Sequence, residues 1–315
     1  MSEALERSLV EQLASARPAR PASRRRRLGS LPYLLLAPSL VFLALFTYLP
    51  IARVAVEALY DKPHGTGAAA AYVGLDNFAR LFADPAFRQA VLNNLIYAAG
   101  TLVPTIVLAL AFALVVQRST RASSVLRTVF FFPSLIPLVA ASSLFFFIFL
   151  PGVGLLDYYL GKLAIYGPNW LGDSDVALWS MIGITVWKNA GYYMLFYIAG
   201  LQNVPRDTVE AAMIDGANGW QRLRYVLLPA LAPTTAFVTV IALINLLTSV
   251  DHVIVLTRGG PSNATNLVLY YIFQSAHENF EYGKAAAATL LSVALLLVLS
   301  LASLRVMQRG TADAP

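Results

Sequence analysis

The chain has 315 residues, 58% of them hydrophobic and 13% charged, with a mean hydropathy of +0.64 and a net charge of +6. Ordinary soluble domains carry about 25% charged residues, so this composition argues against a soluble enzyme. With apolar runs long enough to cross a bilayer, it reads as an all-α, polytopic membrane protein. The basic balance is no nucleic-acid signature, because 7 of the 23 basic residues fall in the first 27 positions, where topology explains them. There is no cysteine, hence no disulfide, thiolate metal site or cysteine nucleophile. His64, His252 and His277 are too scattered for a metal site.

Residues 1–29 are polar and end in Arg24, Arg25, Arg26 and Arg27. A nucleic-acid arm and a signal-peptide n-region are the alternatives to a cytoplasmic tail that fixes orientation. The following apolar run, 31–56, is too long for a signal h-region and has no clear cleavage site after it. It predicts a first transmembrane helix over 30–57, with Pro32, Pro38 and Pro50 at or near its ends. Residues 58–91 form an outer segment. In it Asp84-Pro85 is a helix-start signal, and Phe78, Leu81 and Phe82 make an apolar stripe. Both an interfacial helix and a plain surface helix fit that stripe.

The remainder, 92–307, is the membrane core, followed by a short cytoplasmic tail over 308–315. The second span covers about 92–116, and Arg118, Arg121 and Arg127 make the next loop basic. The third covers about 125–150, where Pro133 and Pro137 predict a kink, tolerated if neighbours or water satisfy the freed carbonyls. Its phenylalanines read as lipid- or bundle-facing bulk. After an outer loop over 151–176 comes the fourth span, about 177–200, with Trp187, Lys188, Asn189, Tyr192 and Tyr193. A lysine at a helix centre costs about 2.5–3.5 kcal/mol on insertion scales. It therefore faces a water-filled route, or else pairs with a neighbouring helix or snorkels outward.

Residues 201–231 are a polar stretch of thirty-odd residues between two apolar segments, and helix starts are easy to place in it. Asn203 can cap a helix whose first turn holds Pro205, Arg206 and Asp207. Gly216 then permits a turn that a residue with a Cβ would resist. Asn218 can cap a second helix carrying Trp220, Leu223, Val226 and Leu227, and Pro229 and Pro233 mark its junction with the next span. Such a helix-turn-helix on the membrane surface is built for docking.

The spacing in this stretch carries a resemblance. Glu210-Ala211-Ala212, three residues, Gly216, nine residues, then Val226-Leu227-Leu228-Pro229 resembles the EAA loop of binding-protein-dependent ABC importer permeases, departing only at Val226, where the pattern has isoleucine. The resemblance implies a type I ABC importer permease fold with six transmembrane helices. It also implies that Glu210, Ala211, Ala212, Asp215, Gly216, Leu228 and Pro229 belong to a coupling element seated in a cleft of an ATPase subunit. Tyr72-Val73-Gly74-Leu75-Asp76-Asn77-Phe78, with Asp84-Pro85-Ala86-Phe87 and Asn93-Asn94, is similar to the matching loop of maltose-type carbohydrate permeases.

The fifth span, about 231–256, carries Asn245, Thr248, Ser249, Asp251 and His252, with Asn245 and Ser249 expected on one face. Polar groups in a span serve as helix-packing glue or line a substrate route. Asn245, Ser249 and Asp251, with Trp187, Lys188, Asn189, Tyr192 and Tyr193, could supply the donors, acceptors and ring faces that sugars need. Gly259-Gly260-Pro261 is a rigid turn. Its surroundings, from Val253 to Pro261 and on through Asn263-Ala264-Thr265, resemble the outer loop of the first permease subunit in maltose- and glycerol-phosphate-type importers. That makes Gly259, Gly260 and Pro261 candidate contacts for a binding protein and favours a heterodimeric pore. The sixth span, about 283–307, ends with Arg305 and Arg309. Segments assigned inside hold 15 of the 23 basic residues, so an even number of spans places both termini in the cytoplasm.

No GxxxxGK[ST] phosphate loop is present, since Gly161-Lys162 and Gly283-Lys284 lack its upstream glycine and its Ser/Thr. The chain has no catalytic residue to nominate, and it binds neither ATP nor any other cofactor or metal itself. The resemblance supplies the expected partners: a second permease subunit, two ATPase subunits, an extracytoplasmic binding protein and membrane lipid, with no nucleic acid. It implies a bacterial inner-membrane subunit importing a sugar, or alternatively a polyol or glycerol phosphate. An ion-coupled secondary transporter would instead need acidic or histidine relays, for which only Asp251 and His252 qualify, and an internal repeat, which is not apparent. An intramembrane enzyme or scaffold has no catalytic constellation here.

Overall fold

The computed structural model describes residues 31–61, 69–118 and 120–312, with side chains described from 34 to 301. The expected cytoplasmic tail and its arginine run lie outside the described residues. The chain separates into two units, Met1–Ile51 and Ala52–Pro315.

The described part of the first unit is helical: α1 (Leu31–Leu43), a π turn (Ala44–Tyr48) and the start of α2 (Leu49–Glu57). A second π turn occurs at Leu223–Leu227. Each is followed, two residues on, by a proline (Pro50 and Pro229) that has no N–H and whose ring crowds the carbonyl four residues back. The ladder yields by slipping one residue: Leu49 N–H bonds Ala44 and Leu228 N–H bonds Leu223, both five residues back.

In the second unit a two-stranded antiparallel hairpin, β1 (Tyr60–Asp61) and β2 (Ala71–Tyr72), precedes α3 (Asp76–Ala83). Asn77 is buried and donates its amide to the Ala58 and Tyr60 carbonyls at 2.8 and 3.0 Å, tying the hairpin to α3. The stripe on α3 packs inward through Leu81, which joins the alanines 286–288 of α15 (Tyr282–Ala312). Asp84 caps α4 (Pro85–Val116), accepting the Ala86 N–H at 2.8 Å with Pro85 in the first turn. The helix begins seven residues before the span expected at 92, because this cap starts it outside the apolar run.

The third span departs furthest from expectation. It is two helices, α5 (Arg121–Leu135) and α6 (Leu138–Ile148), bent by 96°. Pro133 and Pro137 remove two N–H donors within five residues, and Ile136 and Pro137 turn extended. A kink cannot absorb that, so the helix breaks. After α7 (Leu155–Lys162), helix α8 (Ala177–Gln202) runs through the centre of the fold. More than half of its residues are buried, including Met181, Ile184, Tyr193, Met194 and Tyr197. Where lipid is as apolar as leucine, such packing is held by close backbone approach and interhelical hydrogen bonds. Gly191 supplies the approach: an added Cβ would sit 1.7 Å from the Phe130 carbonyl oxygen of α5.

After the polar stretch come α12 (Ala232–Thr248), α13 (Asp251–Leu256), α14 (Val268–His277) and α15. Among the described residues four helical stretches are long and apolar enough to cross a membrane, and the α5–α6 pair would make a fifth. Helix α8 is long enough as well, about 39 Å at 1.5 Å per residue, but Trp187, Lys188, Asn189 and the tyrosines make it too polar to pass on hydropathy. The six-span expectation is compatible with this arrangement.

Candidate functional site: the docking element and the polar residues of the spans

The polar stretch folds as a helix-turn-helix. Helix α9 (Arg206–Ile214) is followed by α10 (Gly219–Arg222), the π turn and α11 (Leu228–Ala230). Asn203 does not start it. That residue ends α8, and Pro205 holds the position before α9 with ψ of 128° and no side-chain cap, so the proline's extended backbone sets the start. Pro229 lies within α11 and Pro233 in the first turn of α12; the junction itself is Leu231, where the helix breaks.

The spacing of Glu210-Ala211-Ala212 to Gly216 has a direct geometric meaning. Gly216 takes φ of +81°, donates its N–H to the Met213 carbonyl at 3.1 Å, and lets Ala217 reach back to the Ala212 carbonyl at 2.9 Å. These two bonds form a Schellman C-cap, whose left-handed residue is cheapest as glycine. Asn218 follows at once with a capping box: it accepts the Gln221 N–H at 2.9 Å while Gln221 accepts the Asn218 N–H at 2.8 Å. One helix therefore ends and the next begins within four residues.

Glu210, Ala211, Asp215 and Gly216 are exposed and Ala212 is half-buried; Leu228 and Pro229 are exposed where the element rejoins the bundle. Glu210 lines a cleft of about 560 Å³ with Arg118, Arg206, Arg222 and Leu227. Sequence reasoning missed the tip: Ile214 is 87% exposed and Trp220 65%, beside exposed Met213 and Tyr225. Water does not favour such a surface, and contiguous exposed apolar side chains mark a contact. Residue type alone did not mark it, because Leu223, Val226 and Leu227 of the same stretch are as apolar and are half-buried.

The polar residues of the spans fall into two groups that do not converge. Lys188 donates to the Ser134 carbonyl at 3.2 Å, and Trp187 packs edge-on against Phe145 at 5.1 Å, so both face the broken α5–α6 pair. The Ser134 carbonyl is one that the break frees, and a cation is favoured at a helix C-terminus. Tyr193 faces α12 and accepts Asn245 Nδ2 at 3.1 Å. Tyr192 rests edge-on against Tyr193 and Phe196, and Asn189 is half-buried. Ser249 does not continue the Asn245 face. Helix α12 ends at Thr248 and Ser249 is extended, with ψ of 124°, while exposed Asp251 opens α13. His252 is fully buried and stacks on Tyr97 at 5.3 Å.

At the other end of the bundle the turn 257–266 is held from inside. Asn93 donates to the Asn263 and Asn266 carbonyls at 2.7 and 3.0 Å, and Thr265 donates to the Gly260 carbonyl at 2.6 Å. Gly259 has φ of +78° and is buried, where a Cβ would strike the Tyr270 ring at 2.9 Å. Gly260 and Pro261 are half-buried, and Arg258, Ser262 and Asn263 are the exposed residues of the turn. Asp84 anchors the neighbouring corner, taking hydrogen bonds from Tyr271 at 2.7 Å and Lys284 at 3.0 Å. Burial opposes ionisation of Asp84, but the bonds from Tyr271, Lys284 and the Ala86 N–H outweigh it and hold the carboxyl below its usual range.

Residues 105–311 match the family model described as "Binding-protein-dependent transport system inner membrane component". A probable ABC transporter permease, YurN of Bacillus subtilis, is 32% identical over 288 residues, covering 89% of this chain and 97% of that protein. The sn-glycerol-3-phosphate transport system permease UgpA of Escherichia coli is 32% identical over 290 residues, covering 91% and 96%. A chain in the crystal structure of a bacterial alginate ABC transporter, in complex with an alginate pentasaccharide-bound periplasmic protein, superposes with a TM-score of 0.77 at 23% identity. It covers 89% of this chain and 94% of that one, a likeness of fold. With that fold, a bundle of apolar helices and relatives matched end to end, the chain belongs to the family of binding-protein-dependent transport system inner membrane components: it is a multi-pass membrane permease of the ABC importer type.

Proposed function

We propose that the chain is one permease subunit of a heterodimeric, ATP-driven importer, taking a carbohydrate or polyol from an extracytoplasmic binding protein and passing it inward. The observation that carries the reading is the helix-turn-helix at 206–231, whose two caps present Met213, Ile214 and Trp220 to solvent beside Glu210. Such an element suits insertion into a cleft of an ATPase subunit. Two ATPase subunits closing on ATP would carry it with them and switch the bundle between inward-open and outward-open states. Glu210, Ala211, Ala212, Asp215, Gly216, Leu228 and Pro229 are its coupling residues. Both termini are cytoplasmic in this scheme, and the turn around Gly259, Gly260 and Pro261 faces the binding protein.

The relatives named for glycerol phosphate and the structural neighbour named for alginate both concern polyhydroxylated solutes, which supports the substrate class. A neutral sugar or polyol is preferred over a phosphate, because Lys188 is spent on the Ser134 carbonyl. The paired Tyr193 and Asn245 offer an aromatic face with a donor and acceptor beside it.

The test is affinity purification of the tagged chain from membranes co-expressing its transporter partners, with ATPase activity measured on the eluate. Glu210→Ala and Gly216→Pro are compared with wild type. An ATP-hydrolysing subunit should accompany wild type and be lost or uncoupled in both variants. If no ATPase is retained, or both variants match wild type, the reading is wrong.

A further inference from the structure

We propose that the cleft behind the docking element takes an acidic side chain of the ATPase subunit, so that docking is reciprocal: α9 and α10 enter the ATPase while one of its carboxylates enters the permease. This rests on the reading above that an ATPase docks there. The cleft, of about 560 Å³, lies between the ends of α4 and α8 and the docking element. Three arginines line it from three separate elements: Arg118 just beyond the end of α4, Arg206 at the start of α9 and Arg222 at the end of α10. Glu210 is the one acid among the described lining residues, and the others are uncharged.

Arginines with a structural task in this chain show it. Arg80 pairs with Asp61 and Asp76, and Arg127 donates twice to the Val116 carbonyl. The side chains of Arg118, Arg206 and Arg222 make no ion pair and no hydrogen bond among the described residues, and Glu210 is in none of the ion pairs either. Topology accounts for basic residues on a cytoplasmic loop, but not for their gathering without partners on one wall. Like charges there repel one another, and a cleft with apolar walls concentrates their field on whatever enters. A planar guanidinium matches a carboxylate with two parallel hydrogen bonds.

Continuity with the docking surface decides where that carboxylate comes from. Met213 lines the cleft and is also part of the exposed apolar tip with Ile214 and Trp220. A partner that covers the tip therefore also stands over the cleft. An acidic side chain on its surface reaches the arginines in the same docking event, with no second ligand.

Arg118 allows the test, because it lies outside the docking helices and both of their caps. The chain has no cysteine, so Arg118→Cys introduces a single thiol whose charge can be reset. The tagged full chain is purified with its partner subunits and held on resin, and release of the ATPase subunit is timed at about 50 and about 500 mM NaCl. At the lower salt Arg118→Cys should release the ATPase about tenfold faster than wild type, and at the higher salt the gap should narrow. Labelling the introduced thiol with a cationic aminoethyl methanethiosulfonate should restore slow release. The anionic sulfonatoethyl reagent should not, and wild type treated in parallel controls for thiols of the partners. Arg206→Gln takes the same salt test if Arg118→Cys yields no complex. Release at the wild-type rate, or equal effects of the two reagents, overturns the proposal and leaves the docking reading intact. So does shielding of the introduced thiol by millimolar inorganic phosphate as fully as by the docked ATPase, which would mean that the cleft takes a free anion. No ATPase on the wild-type resin would remove the docking reading and this proposal together.

Discussion

Helix α8 provides a test of the packing argument with an internal control. Gly191 and Gly183 are eight residues apart on it, yet they face different surroundings. A Cβ on Gly191 would lie 1.7 Å from the Phe130 carbonyl oxygen and 2.5 Å from its carbon, whereas a Cβ on Gly183 meets nothing within 4 Å. Ordinary contact needs roughly another 1.5 Å at Gly191, so α5 must move away as a backbone. Three things resist that movement: Arg127 donating twice to the Val116 carbonyl at 3.1 and 2.7 Å, Lys188 on the Ser134 carbonyl, and Phe130 stacked on Phe112 at 4.1 Å. Overpacking costs typically 1–3 kcal/mol, and a clash with backbone belongs at the upper end, so about 3 kcal/mol is expected for Gly191→Ala. At Gly183 the same substitution only replaces glycine in a helix interior and should be neutral or stabilising by up to about 1 kcal/mol. Thermal unfolding of the purified protein in one detergent, followed by tryptophan fluorescence, measures both. Gly191→Ala should unfold roughly 6–12 °C lower than wild type, and Gly183→Ala no lower. Equal shifts for the two would refute the claim that α5 and α8 cross at backbone contact.

Gly216→Ala forces a Cβ into the left-handed region where there is open space, so its cost is backbone strain alone, about 1–2 kcal/mol. It should lower coupled ATPase activity with the bundle's thermal stability unchanged, and Gly216→Asn should recover part of the loss. Asn93→Ala removes two hydrogen bonds to the turn 257–266, about 2 kcal/mol at roughly 1 kcal/mol each. Cleavage of the purified protein by trypsin at exposed Arg258 should then speed up about thirtyfold; an unchanged rate would show that the turn is held by something else. The Asp84 carboxyl is held below its usual range in the folded state, so its contribution is present above the unfolded value near 3.9 and is lost as pH falls through the folded one. Thermal stability of the wild type should drop below about pH 4 more steeply than that of Asp84→Asn.

The fold was legible where local chemistry and hydrophobic pattern agreed. Asp84-Pro85 and Asn218 act as the caps their residue types suggest, and Gly216 adopts the conformation only glycine adopts cheaply. Those features depend on a few neighbouring residues. What escaped depends on what stands opposite. Two prolines within five residues predicted a kink in the third span, and whether a helix kinks or breaks is decided by whether something else can satisfy the freed carbonyls. Asn203 looked like a cap from its type, but a proline two residues later with an extended backbone claims the helix start. Asn245 and Ser249 shared a face only on the assumption of a continuous helix, and α12 stops between them.

Lys188 brings the two kinds of inference together. In sequence it was a cation in a span, equally suited to lining a route or to pairing with a neighbour, and the broken third span was a separate puzzle of unsatisfied backbone. The antiparallel crossing that sets Phe130 against Gly191 also sets Ser134, one turn along α5, against Lys188, one turn back on α8. The ammonium therefore reaches the end of a helix that has lost its continuation, where a carbonyl needs a donor and the helix dipole favours positive charge. Neither residue explains itself alone: the lysine is tolerable in the bundle because α5 breaks, and the break is tolerable because the lysine is there. Gly191 is what lets the two helices come close enough for one to answer the other.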